Sequence, residues 1–239
     1  MTDLHEIWGR LNANPLLHLT ITLVAFRMGD WLYQRSGKNP LVNPVLVAVA
    51  LIIAVLTATG TSYATYFAGA QFLHFLLGPA TVALAIPLYR HFDHVRRSAL
   101  AIFVSLLVGA TTAATTAVAF AWTLGAGHLS VISMAPKSVT APVAMTIVRQ
   151  LGGLPSLTAV LVILTGVVGA MLGPLVLNAL GIKDWAARGF ALGVASHGIG
   201  TARALQVNEE AGAFSGLAMG LNAIATAILL PVLWQLIFG

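Results

Sequence analysis

Ala135-Pro136-Lys137-Ser138-Val139-Thr140-Ala141-Pro142 sets a lysine, two hydroxyls and two prolines inside otherwise apolar sequence. A proline in a helix interior deletes one backbone hydrogen bond and clashes with the carbonyl four residues back. Two prolines this close predict a broken helix or a hairpin, with open backbone groups near Lys137. In hydrocarbon, such groups persist only where protein buries them or where they line a watery cavity. A lysine at that depth marks a functional site. The alternative is a lysine snorkelling to a headgroup from a loop. The prolines and hydroxyls favour the site.

That the surroundings are hydrocarbon follows from composition. The chain is 58% apolar and 8% charged, with a mean hydropathy of +0.91. Near-uncharged runs of about 20 residues match the thickness of a bilayer core. The length admits roughly seven or eight of them with short loops. The absence of cysteine excludes disulfides, thiol nucleophiles and cysteine metal sites. The net charge of +5 falls in short loops, so it reports topology and not nucleic-acid affinity. Asp3 and Glu6 spoil the basic start of a cleavable signal peptide.

Outward from the central stretch, the chain reads as an all-α, polytopic membrane protein in one integral membrane domain, 1–239. Residues 1–14 form a short interfacial helix or a disordered end, 15–122 a first half, 128–150 the broken central segment and 151–239 a second half. Arg27 and Asp30 share a helix face in the first span and are expected to pair towards the bundle. The segment Tyr63 to Tyr89 is too long for one plain crossing and is expected to break near Gly78 to Thr81. Thr111, Thr112, Thr115 and Thr116 suggest close helix packing, as do Thr165, Gly169 and Gly173. A second polar interruption is Ala195-Ser196-His197-Gly198-Ile199-Gly200-Thr201-Ala202-Arg203.

The basic loop Arg90 to Arg97 belongs inside. If the central segment is a re-entrant hairpin, the spans starting near Ser156, Trp185 and Ala211 run in, out, in, with Glu209-Glu210 outside. Arg149 suits a full crossing better. Inverted halves with interrupted helices at matching places point to a transporter site at mid-membrane. Two divisions stay open, because Pro79-Ala80-Thr81-Val82 resembles Pro136-Lys137-Ser138-Val139, while Gly78-Pro79-Ala80-Thr81 echoes Gly198-Ile199-Gly200-Thr201.

Both polar stretches, together with Gly78 to Ala85 and Gly212 to Met219, resemble the hallmarks of the LrgB/CidB family, and the likeness covers nearly everything after about Leu41. The resemblance implies a multi-pass protein of the bacterial inner membrane. Its fold would be an inverted-repeat bundle with broken half-helices, similar to sodium/bile-acid and cation/proton antiporter carriers. It also implies a carrier of small hydroxy- or keto-monocarboxylates such as glycolate, glycerate, lactate or pyruvate, working by alternating access. The alternative is an antiholin-like regulator of murein hydrolase export and lysis, or an oligomeric pore. Expected partners are the lipid bilayer, a second copy of the chain and a small LrgA/CidA-type membrane protein; no nucleic acid and no cofactor are expected.

A small carboxylate needs positive charge and donors in a dry site. Lys137 and Arg203 are candidates for the charge, and Ser138, Thr140, Ser196, Thr201 and Thr81 for hydrogen bonds. His197 is the member that could titrate near neutral pH, so it is the candidate for proton coupling. A packing role is the bland reading for His197, and a helix-carbonyl or Glu209/Glu210 partner is the bland reading for Arg203. An enzyme is disfavoured. Ser196 and His197 are helix neighbours pointing about 100° apart, and no metal-ligand spacing occurs.

Overall fold

The structure is a computed structural model that describes residues 14–238. Every regular element among them is helical. Of the expected interfacial helix over 1–14 only Asn14 lies within the described residues, and it caps the next helix. The chain forms two compact units, Met1–Ala83 and Leu84–Gly239.

The first unit holds α1 (Pro15–Arg35), α2 (Pro44–Thr59) and α3 (Tyr63–Ala83). Asn14 and Asn43 each accept amides of the helix they precede, ahead of a proline in the first turn, where the missing N–H costs nothing. Gly29 of α1 lies against the Pro44 backbone, and Gly69 of α3 against Pro15 and His18. Side chains there would hold the helices apart. The Arg27–Asp30 pair forms at 2.7 Å, but with the Arg27 side chain 74% exposed. It therefore does not face inward as expected, because the opposite face of α1, with His18, Ala25, Gly29 and Tyr33, is the buried one.

The expected break near Gly78 does not occur. α3 runs through Pro79 to Ala83, and Leu84, between it and α4 (Ala85–Arg90), keeps a right-handed helical backbone at φ −63°, ψ −17°. One proline removes one backbone hydrogen bond, a loss that a membrane helix tolerates.

The second unit continues with α5 (Phe92–Arg97), α6 (Ala99–Thr123), α7 (His128–Met134), α8 (Ala141–Gln150), α9 (Pro155–Ala179), α10 (Trp185–Val207) and α11 (Glu209–Phe238). Among the described residues, four stretches are long and apolar enough to cross a membrane: Tyr63–Arg90, Ala99–Thr123, Pro155–Ala179 and Glu209–Leu236. Thr115 and Thr116 of α6 are exposed and donate to the carbonyls of Thr111 and Thr112, so they serve their own helix and not a packing face.

Between the long helices lie two hairpins. In one straight helix, Ile132 and Val148 would be roughly 24 Å apart. Instead both crowd Gly153, and Ala135 packs with Ile147. The central segment is thus re-entrant, with its tip at 135–140, and Arg149 returns to the end from which α7 set out.

α10 does the same from the other side. Leu192 and Ala204 would be about 18 Å apart in a straight helix, yet they share one cluster with Leu177 and Ala211. Gly189 and Gly193 lie against Ala211 and Ser215, so the arm 185–196 runs parallel to α11. Thr201 meets Ser215 and Leu205 crowds Gly212, so the arm 198–207 runs antiparallel to it. The chain reverses at His197, whose backbone sits at φ 42°, ψ −135°.

Arg90 binds Glu209 and His94 binds Glu210, at 2.7 and 2.8 Å. Both ends of α10 therefore lie beside the basic segment 90–97. Arg90, Arg96, Arg97, Lys183 and Arg188 gather at this end and Arg149 at the other, which makes the first end cytoplasmic. Glu209-Glu210 is consequently inside and not outside. The expectation failed because a segment that turns back at His197 does not cross.

Candidate functional site

The two hairpins enter from opposite ends and their tips meet. Asn222, midway along α11 and 1% exposed, donates through Nδ2 to the Ser138 carbonyl (3.2 Å) and the Val194 carbonyl (3.0 Å). In an unbroken helix the Val194 carbonyl would accept the amide of residue 198; the turn at His197 releases it. One amide group thus satisfies a carbonyl from each interruption, and Thr226 donates to its oxygen. Sequence reasoning missed Asn222. The available signal was an amide side chain alone in an apolar span, which in a membrane wants buried partners.

The first tip is fixed at its base. Ser133 donates to Leu129, accepts the Leu154 amide, and offers its carbonyl to Thr158. Turns close from the Lys137 amide to Met134 and from the Val139 amide to Pro136, so the carbonyls at the end of α7 are occupied. α8 then begins without a side-chain cap, in contrast to α1 and α2. Ser138 is buried, Thr140 and Lys137 half-buried. The Lys137 ammonium has no ion pair or side-chain hydrogen bond among the described residues.

The second tip rests on glycines of α9. A Cβ at Gly166 would strike the His197 ring, one at Gly169 Ser196, and one at Gly173 Leu192. His197 Nε2 lies 2.9 Å from the Val162 carbonyl, and Val162 packs in turn with Val139 of the first tip. Thr201 donates to the His197 carbonyl and pairs with Ser215. The Ser196 hydroxyl is buried with no hydrogen-bond partner among the described residues.

Of the residues expected in the site, Lys137, Ser138, Thr140, Ser196 and His197 lie at the two tips. Thr201 stands one turn beyond, and Arg203 is buried farther along the return arm towards the cytoplasmic end. Thr81 belongs to the first unit, exposed, its hydroxyl donating to Leu77. No group of three His, Asp or Glu able to hold a metal occurs among the described residues.

Fold and site define a multi-pass, all-helical membrane protein with a polar midplane built from opposed re-entrant hairpins. The family profile described as LrgB-like matches residues 22–236, and the chain belongs to that family. It is 34% identical to holin-like protein CidB of Staphylococcus epidermidis over 223 residues, 93% of this chain and 97% of the relative. It is 33% identical to holin-like protein CidB of Staphylococcus aureus over 226 residues, 95% and 98% of the two chains. With the uncharacterized protein YxaC of Bacillus subtilis it shares 38% over 220 residues, 92% and 95%. No solved structure matches it.

Proposed function

We propose that this protein carries small hydroxy- or keto-monocarboxylates across the membrane by alternating access. The observation that carries the reading is the meeting of two opposed hairpin tips beside Lys137, which has no side-chain partner of its own among the described residues. α8 and the arm 198–207 both begin at the tips, so both present the positive ends of their dipoles to the midplane. Their counterparts, α7 and the arm 185–196, end there, but bonds from Thr158, Lys137 and Asn222 already engage carbonyls of those ends. What remains open is positive or can donate a hydrogen bond: an ammonium, an uncapped helix start and the Ser196 hydroxyl. A carboxylate matches that set and a cation does not. Arg203 belongs to the proposal as a charge near the exit, Thr140 and Ser138 as donors, and Thr81 only if the first unit brings it there.

His197 is the proposed proton carrier. Its Nε2 engages Val162, which leaves Nδ1 to take up a proton alongside the anion. Co-transport would neutralise an event that the potential otherwise opposes by about 2.3 kcal/mol per charge per 100 mV. Uptake is then expected to rise as external pH falls from about 7.5 to 6, and His197→Gln to flatten that dependence. A transport-active His197→Gln protein with the wild-type pH profile removes the residue from this role.

A second reading has its own support. The relatives are named holin-like, and the names favour a membrane-permeabilising or lysis-regulating protein over a carrier. Liposomes containing the purified protein separate the two. Saturable uptake of labelled pyruvate or glycolate, with an entrapped dye retained, supports the carrier; release of dye and solutes alike, without saturation, supports the holin-like reading. A second copy and a small LrgA/CidA-type partner fit either proposal, and co-purification from cells expressing both chains tests them.

A further inference from the structure

Away from the tips, a groove of about 630 Å³ lies between α6 and the first arm of α10, within the size range of sites that enclose small ligands. Its walls are mostly apolar or small, among them Ala101, Ser105, Val108, Ala187 and Ala191, with the Asp184 carboxylate at the cytoplasmic end, where it accepts the Ala187 amide. Along α10, from Asp184 to Ala195, it follows about 16 Å of helix, close to half a bilayer core, and along α6 its wall continues for about 22 Å, from Ser98 to Ala113. At its cytoplasmic mouth stands His94, which also lines a polar cup of about 460 Å³ formed by α4 and α5. An apolar slot one leaflet deep, opening onto a polar cup at the membrane surface, has the form of a phospholipid.

The cup specifies the headgroup. Arg90 and His94 are engaged by Glu209 and Glu210, but Asp93 and Arg97, which also line the cup, are not. They stand four residues apart on α5, a spacing at which acid and base ordinarily pair on a helix. No ion pair joins them, and neither has another side-chain partner among the described residues. The cup therefore offers one free cation and one free anion together. Glu209 and Glu210 nearby offset the surplus of arginine, so a purely anionic headgroup is not what the charges favour. A phosphate beside a primary ammonium complements both groups: the guanidinium takes phosphate oxygens, and the carboxylate takes ammonium N–H donors.

We propose that groove and cup together hold one phospholipid of the phosphatidylethanolamine type, one acyl chain between α6 and α10 and its headgroup on α5. Because the groove wall 184–195 is also the arm that carries His197, a lipid held there props one of the two tips.

Delipidated protein incubated with equal amounts of dioleoyl phosphatidylethanolamine, phosphatidylcholine and phosphatidylglycerol, then analysed by native mass spectrometry, tests this. Phosphatidylethanolamine should be retained at least fivefold over phosphatidylcholine, which lacks N–H donors, and over phosphatidylglycerol. Asp93→Asn should abolish the preference over phosphatidylglycerol, Arg97→Gln should weaken retention of both lipids, and Ala191→Phe should evict the acyl chain. Ser105→Leu fills the same groove and replaces Ala191→Phe if that protein does not fold. Equal retention of the three lipids overturns the proposal. So does full competition by soluble phosphoethanolamine or inorganic phosphate, which would make the cup a site for a soluble anion. Groove-filling variants that change the oligomer's mass and not lipid retention would assign the groove to a second copy of the chain, also overturning it.

Discussion

Lys137 and Asn222 differ at the midplane: the first has no side-chain partner among the described residues, the second ties the scaffold. Removing the ammonium deletes the charge proposed to face the substrate without disturbing a side-chain bond of the fold. Lys137→Ala should therefore reach the membrane in normal amount and lose carboxylate uptake in liposomes. Lys137→Arg should also be impaired, since a planar fork does not replace a compact ammonium. Wild-type uptake by a well-folded Lys137→Ala protein would remove the site from the first tip. Asn222→Leu behaves oppositely. It strands the Ser138 and Val194 carbonyls, and an unsatisfied buried group costs about 1–3 kcal/mol. A clear fall in melting temperature in detergent is expected, and an unchanged one would mean that other donors reach those carbonyls.

The hairpins were half legible in the sequence. Pro136 and Pro142 announced the first tip because proline acts on the backbone locally, and such effects can be read residue by residue. The polar run around His197 announced a second interruption but not a reversal, since glycine and small residues permit a turn without dictating its angle. Pro79 misled for the converse reason: a single proline was read as a break, and α3 passes through it. What could not be read was the seat of the second hairpin on α9, which depends on contacts between residues far apart in the chain. The glycine stripe was legible as close packing, but its partner was not. Gly169 marks the tightest point, where an added Cβ would overlap Ser196. Gly169→Ala should lower thermal stability and uptake together, and Ser196→Gly in the same chain should restore part of the stability. If the double variant melts no higher than Gly169→Ala alone, the arm does not rest there.

At the scale of the whole molecule, the arrangement makes a statement about sides that labelling can check. The chain has no cysteine, so single introduced thiols report cleanly. With an impermeant maleimide on intact cells, Gln150→Cys should label, whereas Lys183→Cys and Gln206→Cys should label only after the membrane is opened. Labelling of Gln206→Cys but not Lys183→Cys from outside would mean that α10 crosses. The same feature governs how the protein is made. The first hairpin arm has 7 residues and the second 10, and those of α10 are also short, each spanning less than about 20 Å of a core near 30 Å. None can be threaded through the membrane on its own during synthesis, and a bare tip in lipid would leave its amides and carbonyls without partners. The long helices must be inserted first, with the short arms folding into the seats they provide. The meeting point of the two tips is then the last part of the protein to be completed, and a variant can be correctly oriented in the bilayer while its centre is still unassembled.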